Sequence, residues 1–233
     1  MIPAAGRGTR LGNARPKQFL ALAGTPILAK TISIFESSPL IRDIILVVPP
    51  GEESYSQEEI VKRYSLFKVK RIVPGGETRQ ASVAAGVAAM AEDISLVLIH
   101  DAARPFVPHE VIQRVVDAAA VAGAAVAAIP IADTLKRPLT GGEGAVTVDR
   151  EGLWAAQTPQ AFRTNVLVAA LERAAADEYT GTDDASLVER LGHPVILVEG
   201  HPCNLKITTT EDFEYAERLA RSFARTSSCC EIH

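Results

Sequence analysis

Short apolar runs alternate with amphipathic segments along most of the chain. The apolar runs, rich in β-branched residues, predict strands at Asp43–Pro49, Val69–Val73, Ser95–His100, Ala124–Pro130 and Pro194–Val198. The amphipathic segments predict helices over residues 26–38, 55–64, 78–91, 108–122, 164–176, 183–191 and 210–223. The last helix is opened by the capping-box pattern Thr208-x-x-Glu211. Because helices separate strands that are apolar on both faces, the pattern predicts an α/β fold with a mostly parallel sheet flanked by helices.

One region interrupts this alternation. Residues 136–160 hold two prolines, four glycines and only short extended pieces such as Ala145–Val148. A stretch of that length without regular structure inside a compact domain is usually functional, so we interpret residues 136–157 as an arm. Residues 224–233 are predicted to be a frayed tail, and residues 1–233 are interpreted as a single domain.

The composition is that of a globular protein and excludes several classes. Hydrophobic residues make up 47% of the 233 residues, and 24 Lys and Arg against 28 Asp and Glu give a net charge of −4. This balance offers no basic field to nucleic acid or to an anionic membrane. The least polar stretch, residues 118–132, is shorter than the roughly 20 residues that a spanning helix needs. With no apolar signal region after Met1 and three cysteines without metal-ligand spacing, we expect a soluble cytoplasmic protein.

In sheets of this kind ligands bind beyond the carboxyl ends of the strands, which directs attention to four loops. They are Pro3–Lys17, Pro74–Ser82, His100–Pro105 and Asp133–Arg137. The first combines small residues and glycines with four cations, and therefore suits a phosphate chain. Gly6, Gly8 and Gly12 lack the spacing of a dinucleotide fingerprint, which argues against a dehydrogenase, and Lys17 follows Pro16 rather than the glycine of a Walker loop.

The other loops suggest how a nucleotide and a second substrate are bound. The turn at residues 75–82 offers backbone donors and hydroxyls to a nucleobase or a ribose. Asp101 ends an apolar strand, where it can coordinate Mg²⁺ or bind a sugar hydroxyl, and Arg104 can bind an anion; a structural pair between the two is the alternative. Lys206 lies in an apolar context that requires an anionic partner. His100 is expected to pack rather than to react.

The sequence favours a reaction without a covalent intermediate. It contains no G-x-S-x-G elbow, no convincing pair of nucleophile and base, and no metal-cage spacing of Glu, His and Cys. Cations around a glycine loop, with one well-placed carboxylate, suit phosphoryl or nucleotidyl transfer, in which positioning and charge stabilisation do nearly all the work.

Eight motifs, taken in order over nearly the whole chain, resemble a known family. They are PAAGRGTR with PKQFL, GGETRQASV, HDAARP, DTLKR, TVDREGLW, QTPQAF, TDDAS and NLKIT. They resemble the motifs of 2-C-methyl-D-erythritol 4-phosphate cytidylyltransferase, a family of non-mevalonate isoprenoid synthesis. The resemblance implies a single Rossmann-like nucleotidyltransferase domain with a dimerisation arm and Mg²⁺ as cofactor. It also implies transfer of CMP from CTP to methylerythritol phosphate by direct in-line attack, giving 4-diphosphocytidyl-2-C-methyl-D-erythritol and pyrophosphate.

The resemblance assigns roles to individual residues. The implied catalytic residues are Arg10, Lys17 and Lys206. The implied CTP contacts are Pro3, Ala4, Ala5, Gly6, Gly8, Arg10, Lys17, Gly76, Glu77, Ser82, Asp101 and Ala102. The implied substrate contacts are Asp101, Arg104, Thr134, Arg150, Thr158, Thr182 and Lys206, with Asp101 also the implied metal ligand. Because the family's arm crosses to a twofold partner, Thr134 and Arg150 are expected to serve the neighbouring site of a homodimer.

The sequence departs from the family's pattern at two points, and two alternative functions are considered beside this interpretation. Only Met1 and Ile2 precede the PAAG motif, so the first strand is expected to be short or to begin upstream, and Glu77 stands where relatives have Asp. A ribitol 5-phosphate cytidylyltransferase is the nearest alternative, although its relatives usually carry AGG and HDSVRP in place of PAAG and HDAARP. A non-catalytic nucleotide-binding relative is the second, and the presence of Arg10, Lys17, Asp101 and Lys206 argues against it.

Overall fold

A computed structural model describes residues 1–6 and 16–228 of the chain. The strands are β1 (Ile2–Pro3), β2 (Ala21–Leu22), β3 (Thr25–Pro26), β4 (Ile44–Val48), β5 (Val69–Pro74), β6 (Leu96–Ile99), β7 (Ala124–Pro130), β8 (Leu135–Pro138), β9 (Ala145–Val148), β10 (Trp154–Arg163) and β11 (Ile196–Glu199). The helices are α1 (Ile27–Ser37), α2 (Glu53–Tyr55), α3 (Arg79–Ala88), α4 (His109–Ala122), α5 (Thr164–Ala176), α6 (Asp184–Arg190) and α7 (Thr210–Ser228). A 3-10 turn at Lys17–Phe19 and a π-helical segment at Ser56–Lys62 complete the described elements.

The central layer consists of two sheets, one of order β5-β4-β1 and one of order β6-β10-β7-β11. Parallel pairing joins β1 to β4, β4 to β5 and β11 to β7, whereas β10 is antiparallel to both β6 and β7. The short strand β1 connects the two halves, since the His100 amide donates to the Met1 carbonyl at 3.1 Å and the Ala102 amide donates to the Pro3 carbonyl at 3.4 Å. The mostly parallel sheet that the sequence predicted is therefore confirmed.

Helices cover both faces of this sheet. On one face α1 and α4 bury side chains such as Ile32 and Ile112 against β4 and β7. On the other face α3, α5 and α6 bury Val83, Leu167 and Val188 against β6 and β10. The alternation along β6, whose successive side chains enter opposite clusters, explains why its sequence is apolar throughout. Among the described helices, none has the length and apolar composition needed to cross a membrane.

Strand β10 is the main feature that the sequence pattern did not predict. It begins inside the region interpreted as irregular and as an arm and continues beyond it to Arg163, and it runs through the middle of its sheet, buried from Gln157 to Phe162. Glutamines and Pro159 make this segment unlike an apolar strand. The ladder with β7 is irregular between Ala156 and Gln160, which is where a proline without an amide hydrogen is tolerated.

The remaining elements follow the predictions closely, with two corrections. All five predicted strands are present, and predicted helix 55–64 forms as α2 and the π-helical segment. Helix α7 continues to Ser228, five residues beyond the predicted end at residue 223, and no Gly or Pro interrupts this segment. The second correction concerns the capping box at the start of α7, whose two reciprocal hydrogen bonds join Thr209 and Asp212 instead of Thr208 and Glu211. The Asp212 carboxylate also accepts hydrogen bonds from the amide and the hydroxyl of Thr208.

Strands β8 and β9 form an antiparallel hairpin, with Leu135 opposite Val148 and Pro138 opposite Ala145. The hairpin continues from β7 and leads into β10, so it extends from the central sheet. Most of its side chains are exposed, including the apolar Leu139.

Candidate active site

Three of the predicted loops meet at the carboxyl ends of β1, β5 and β6. A Cβ atom added to Gly75 would collide with the Cβ of Ala5 and lie 2.8 Å from the Ser82 Oγ, so glycine is needed for this close approach. The bond between the Ala102 amide and the Pro3 carbonyl joins the third loop to the first. The segments predicted to contact CTP are therefore neighbours along one sheet edge.

The structure describes some of the residues predicted to contact CTP and leaves others outside the described ranges. Ala4 is buried and its amide donates to the Val47 carbonyl at 2.6 Å. Gly76 and Glu77 are exposed beyond β5. Gly8 and Arg10 lie outside the described residues, and their roles stay predictions.

Ser82 is buried in the first turns of α3. Its hydroxyl donates to the Thr78 carbonyl at 2.9 Å, and the Thr78 side chain caps the helix by accepting from the Ala81 amide at 3.0 Å. In this structure Ser82 shapes the turn that presents Gly76 and Glu77. Its predicted contact with the nucleotide stays a prediction.

Asp101 is the centre of a cluster of cations. Its Oδ2 lies 2.7 Å from the Lys206 Nζ and 3.8 Å from the Arg104 Nε, while its Oδ1 lies 3.3 Å from the Arg79 Nε. Arg79 also donates to Asp184 at 2.7 Å, so its guanidinium bridges two carboxylates. Burial opposes ionisation of Asp101, but Lys206, Arg79 and Arg104 outweigh that cost and hold its pKa well below the ordinary value.

A buried chain of hydrogen bonds fixes the backbone around Asp101. The Asp101 amide donates to the Thr158 hydroxyl at 3.0 Å, and that hydroxyl lies 3.2 Å from the His100 Nδ1. The His100 Nε2 faces the Arg104 carbonyl at 3.0 Å, and because a carbonyl only accepts, Nε2 carries the proton and Nδ1 accepts from Thr158. Burial lowers the pKa of His100 to about 4, which keeps the ring neutral. His100 thus packs, as expected, and also orders the loop.

The NLKIT segment is held against the same loop. The Arg104 guanidinium donates to the Asn204 carbonyl at 2.6 Å, and the Ile207 amide donates to the Ala103 carbonyl at 2.9 Å. The Lys17 Nζ donates to the Ile207 carbonyl at 2.8 Å. Two of the implied catalytic cations, Lys17 and Lys206, are therefore brought to one short segment.

A cavity of about 260 Å³ opens at this cluster. The predicted substrate residues that line it are Asp101, Arg104, Thr158, Thr182 and Lys206. The lining residues that were not predicted are Arg79, Ala156, Gln157, Gln160 and Asp183. All of these except Ala156 lie in motifs that the sequence analysis singled out. A charged or amide side chain beside an assigned residue was the signal that could have found them.

The two remaining predicted substrate residues lie elsewhere. Thr134 precedes β8 and Arg150 follows β9, and both are exposed at the base of the hairpin. Neither lines the cavity described above. The structure therefore leaves their predicted service to a neighbouring subunit untested.

A doubly wound sheet with small-residue loops at its carboxyl edge and a charged cavity beside them is an arrangement suited to a nucleotide-binding enzyme. Residues 1–222 match the sequence profile of 2-C-methyl-D-erythritol 4-phosphate cytidylyltransferase. The enzyme of that name from Syntrophus aciditrophicus is 45% identical over 95% of this chain and 94% of its own, and that from Geobacter metallireducens is 47% identical over 95% and 96%. The crystal structure of the Thermus thermophilus enzyme covers 94% of this chain and 97% of its own, with 39% identity and a TM-score of 0.78.

The chain belongs to the 2-C-methyl-D-erythritol 4-phosphate cytidylyltransferase family. It is an enzyme that transfers CMP from CTP to methylerythritol phosphate and releases pyrophosphate. This finding favours methylerythritol phosphate over ribitol 5-phosphate and over a role in nucleotide binding alone. The predicted family, fold and reaction are confirmed.

Proposed function

We propose that methylerythritol phosphate binds in the cavity at Asp101 and that CTP binds along the adjoining edge formed by β1, β5 and β6. A phosphate oxygen of the first substrate then attacks the α-phosphorus of CTP in line. An oxygen–phosphorus bond forms as the bond from the α-phosphorus to the bridging oxygen breaks, and the electron pair leaves with pyrophosphate. The attacking oxygen is already anionic at neutral pH, so the site needs no general base.

The mixture of groups in the cavity is the observation that carries this proposal. A polyol phosphate has hydroxyls that both donate and accept, and an anionic group that only accepts. The cavity offers carboxylate oxygens of Asp101 and Asp183, the cations of Arg79, Arg104 and Lys206, and threonine and glutamine side chains. Such a lining suits a small polar anion and disfavours an apolar ligand.

Arg104 adds a specific indication of a ligand. The Arg104 side chain is about nine-tenths buried, and its Nε has no hydrogen-bond partner among the described residues. A buried N–H without an acceptor is costly, and a phosphate or hydroxyl oxygen in the cavity would supply the acceptor. We therefore propose that Arg104 contacts substrate directly, together with Lys206 and Thr182.

Charge stabilisation is proposed to come from Arg10, Lys17 and Lys206. The Lys17 Nζ donates to the carbonyl of Ile207, and the neighbouring Lys206 contacts Asp101 through its Nζ. Cations aimed at the transferring phosphate stabilise the charge that develops during attack and are worth several kcal/mol of barrier, about 3 kcal/mol for each group removed.

We propose that Mg²⁺ enters as the magnesium complex of CTP. The described residues contain no group of three metal-ligating side chains, and both Asp101 oxygens already face cations. Three positive groups within 4 Å do not suit a resident divalent ion, so Asp101 fits the recognition of a substrate hydroxyl better than the predicted ligation of the metal. Phosphate oxygens of CTP are then the main ligands of the ion.

A homodimer is proposed on the basis of the hairpin. Val146, Leu139, Leu153 and Trp154 are exposed on or beside β8 and β9, where a second copy of the chain would cover them. In such a dimer Thr134 and Arg150 would reach the partner's cavity.

Because the substrate CTP is a cytoplasmic metabolite, we also propose a cytoplasmic location for the enzyme.

Pyrophosphate release tests the proposal. CTP and Mg²⁺ are supplied with methylerythritol phosphate or with ribitol 5-phosphate, and Lys17→Ala serves as the blank. We expect release with methylerythritol phosphate alone and a loss of about a hundredfold or more in the variant. Equal release with ribitol 5-phosphate would contradict the proposed substrate, and unchanged turnover of Lys17→Ala would contradict the role of that cation.

A further inference from the structure

Gln80, the second residue of α3, holds a segment that is remote in sequence. Its Nε2 donates to the Tyr179 carbonyl at 3.1 Å, and its Oε1 accepts from the Gly181 amide at 3.1 Å. The two bonds attach the helix to residues 179–183, which have no regular structure and connect α5 to α6. A single side chain thus satisfies a carbonyl and an amide of the same short loop.

Thr182 is the next residue of that loop and lies at the rim of the cavity. On its other side the Asp183 carboxylate accepts from the Gln160 Nε2 at 2.7 Å, and the Gln160 Oε1 accepts from the Ala185 amide at 3.1 Å. Thr182 therefore stands between a glycine held by Gln80 and an aspartate held by Gln160. Its place in the cavity is determined from α3 on one side and from β10 on the other.

Arg79 adds a second connection between the same elements. It precedes Gln80 in α3 and donates to Asp184, the first residue of α6, at 2.7 Å. Asp184 is buried, so this contact joins the start of α6 firmly to α3. However, Arg79 also contacts Asp101 and lines the cavity, so a change there would disturb the substrate directly. Gln80 does not line the cavity, so a substitution at Gln80 changes the position of the loop without removing a group from the cavity.

We propose that Gln80 is a positioning residue for methylerythritol phosphate, acting through Thr182. The inference rests on the proposed function, which places Thr182 against that substrate. Only a side chain with both a donor and an acceptor at its end satisfies the Tyr179 carbonyl and the Gly181 amide together. Glutamate accepts from the amide but repels the carbonyl, and leucine has the size of glutamine and makes neither bond.

The test compares Gln80→Leu and Gln80→Glu with the wild type by steady-state kinetics. We expect KM for methylerythritol phosphate to rise about five- to tenfold in Gln80→Leu, since a weakened Thr182 contact of roughly 1–1.4 kcal/mol corresponds to that factor, and to rise less in Gln80→Glu. KM for CTP and kcat should stay within about twofold, because the cations at the transferring phosphate are untouched. Gln113→Leu is the matched control, since the Gln113 amide bonds only the exposed Asp117 side chain four residues later.

Thr182→Ala and the double variant Gln80→Leu/Thr182→Ala complete the experiment. If Gln80 acts through Thr182, the double variant has the KM of Thr182→Ala, and Gln80→Leu adds nothing. Equal multiplication of KM by Gln80→Leu in both backgrounds would overturn the inference, as would an unchanged KM in Gln80→Leu when Thr182→Ala raises it. An unchanged KM in Thr182→Ala itself would overturn the proposed place of Thr182 as well. A general loss of structure would instead lower the melting temperature and kcat without this pattern.

Discussion

The cavity at Asp101 and the β8–β9 hairpin both carry residues that the family resemblance assigns to one substrate, yet they are built in opposite ways. In the cavity Asp101 and Arg104 are buried, and hydrogen bonds join the surrounding loops to β10 and to the segment before α7. On the hairpin Thr134 and Arg150 are exposed, and neighbouring apolar side chains remain about 45% exposed, as at Leu139 and Val146.

This difference determines how each region can fail. All of the residues described around the cavity belong to one chain, so a second subunit with the wild-type sequence cannot restore a cavity that carries a substitution. The hairpin has few contacts that fix its residues, and the proposed dimer would cover its exposed apolar surface. A variant on the hairpin should therefore be rescued by a second subunit, whereas a variant in the cavity should not.

Lys206→Met should have the largest effect. Its ammonium is lost from the cavity, and Asp101 loses its closest cation, 2.7 Å away. We expect kcat/KM for methylerythritol phosphate to fall on the order of a hundredfold or more, measured by pyrophosphate release.

Lys62→Met is the matched control for this variant. Lys62 forms an exposed pair with Glu58 on the helix surface, and such pairs contribute little. Its activity should stay close to that of the wild type. A loss below about threefold in Lys206→Met would show that the ion pair with Asp101 is structural and that the cation does not assist transfer.

Arg150→Ala tests the other region and should have the next largest effect. If Arg150 binds the substrate phosphate in the partner's cavity, the loss of a charged hydrogen bond should lower kcat/KM about 10- to 100-fold. Equal co-expression with Lys206→Met should then restore roughly a quarter of the wild-type rate, because half of the dimers are mixed and each keeps one intact site. Absence of recovery in mixed dimers would place Arg150 in its own subunit's site or outside any site.

Much of the fold could be predicted because its signals are local. The apolar runs of β4 to β7 and the periodic helices appear where the sequence places them, as does the turn at Gly75. Strand β10 could not be predicted, because its burial depends on pairing with β6 and β7 rather than on its own composition. Glutamines and a proline make favourable contacts there only once those neighbours are in place.

The residues of the candidate site could also be predicted only in part. The loop residues could be assigned from motifs, whereas the contacts that position them join residues far apart in sequence. Arg79 bonds Asp101 and Asp184, which lie 22 and 105 positions away, and no spacing rule predicts such a bridge. The position of Thr158 in a chain from Asp101 to His100 also depends on the placement of β10.

Thr158→Val sharpens the description of the cavity with a smaller effect. Valine preserves the shape but leaves the Asp101 amide and the His100 Nδ1 without partners in the interior. We expect kcat/KM to fall about five- to tenfold and the free energy of unfolding to fall by about 1–3 kcal/mol. Thr158→Ser restores the hydroxyl and should recover most of both quantities. A Thr158→Ser variant as impaired as Thr158→Val would assign the effect to packing of the methyl group.

The pH dependence of stability should reveal the neutral His100, and its effect is the smallest at neutral pH. Burial lowers its pKa from the ordinary 6.5 to about 4, so between these values the unfolded chain binds a proton that the folded protein does not. The stabilisation is therefore complete above pH 6.5 and is lost as the pH falls towards 4, with a slope of up to about 1.4 kcal/mol per pH unit. Denaturant unfolding of the wild type and of His100→Gln from pH 7 to pH 4 isolates this group, because other titrating groups contribute equally to both. The wild type should lose stability more steeply, whereas parallel curves would mean that His100 is protonated in the fold and that its Nδ1 donates to Thr158.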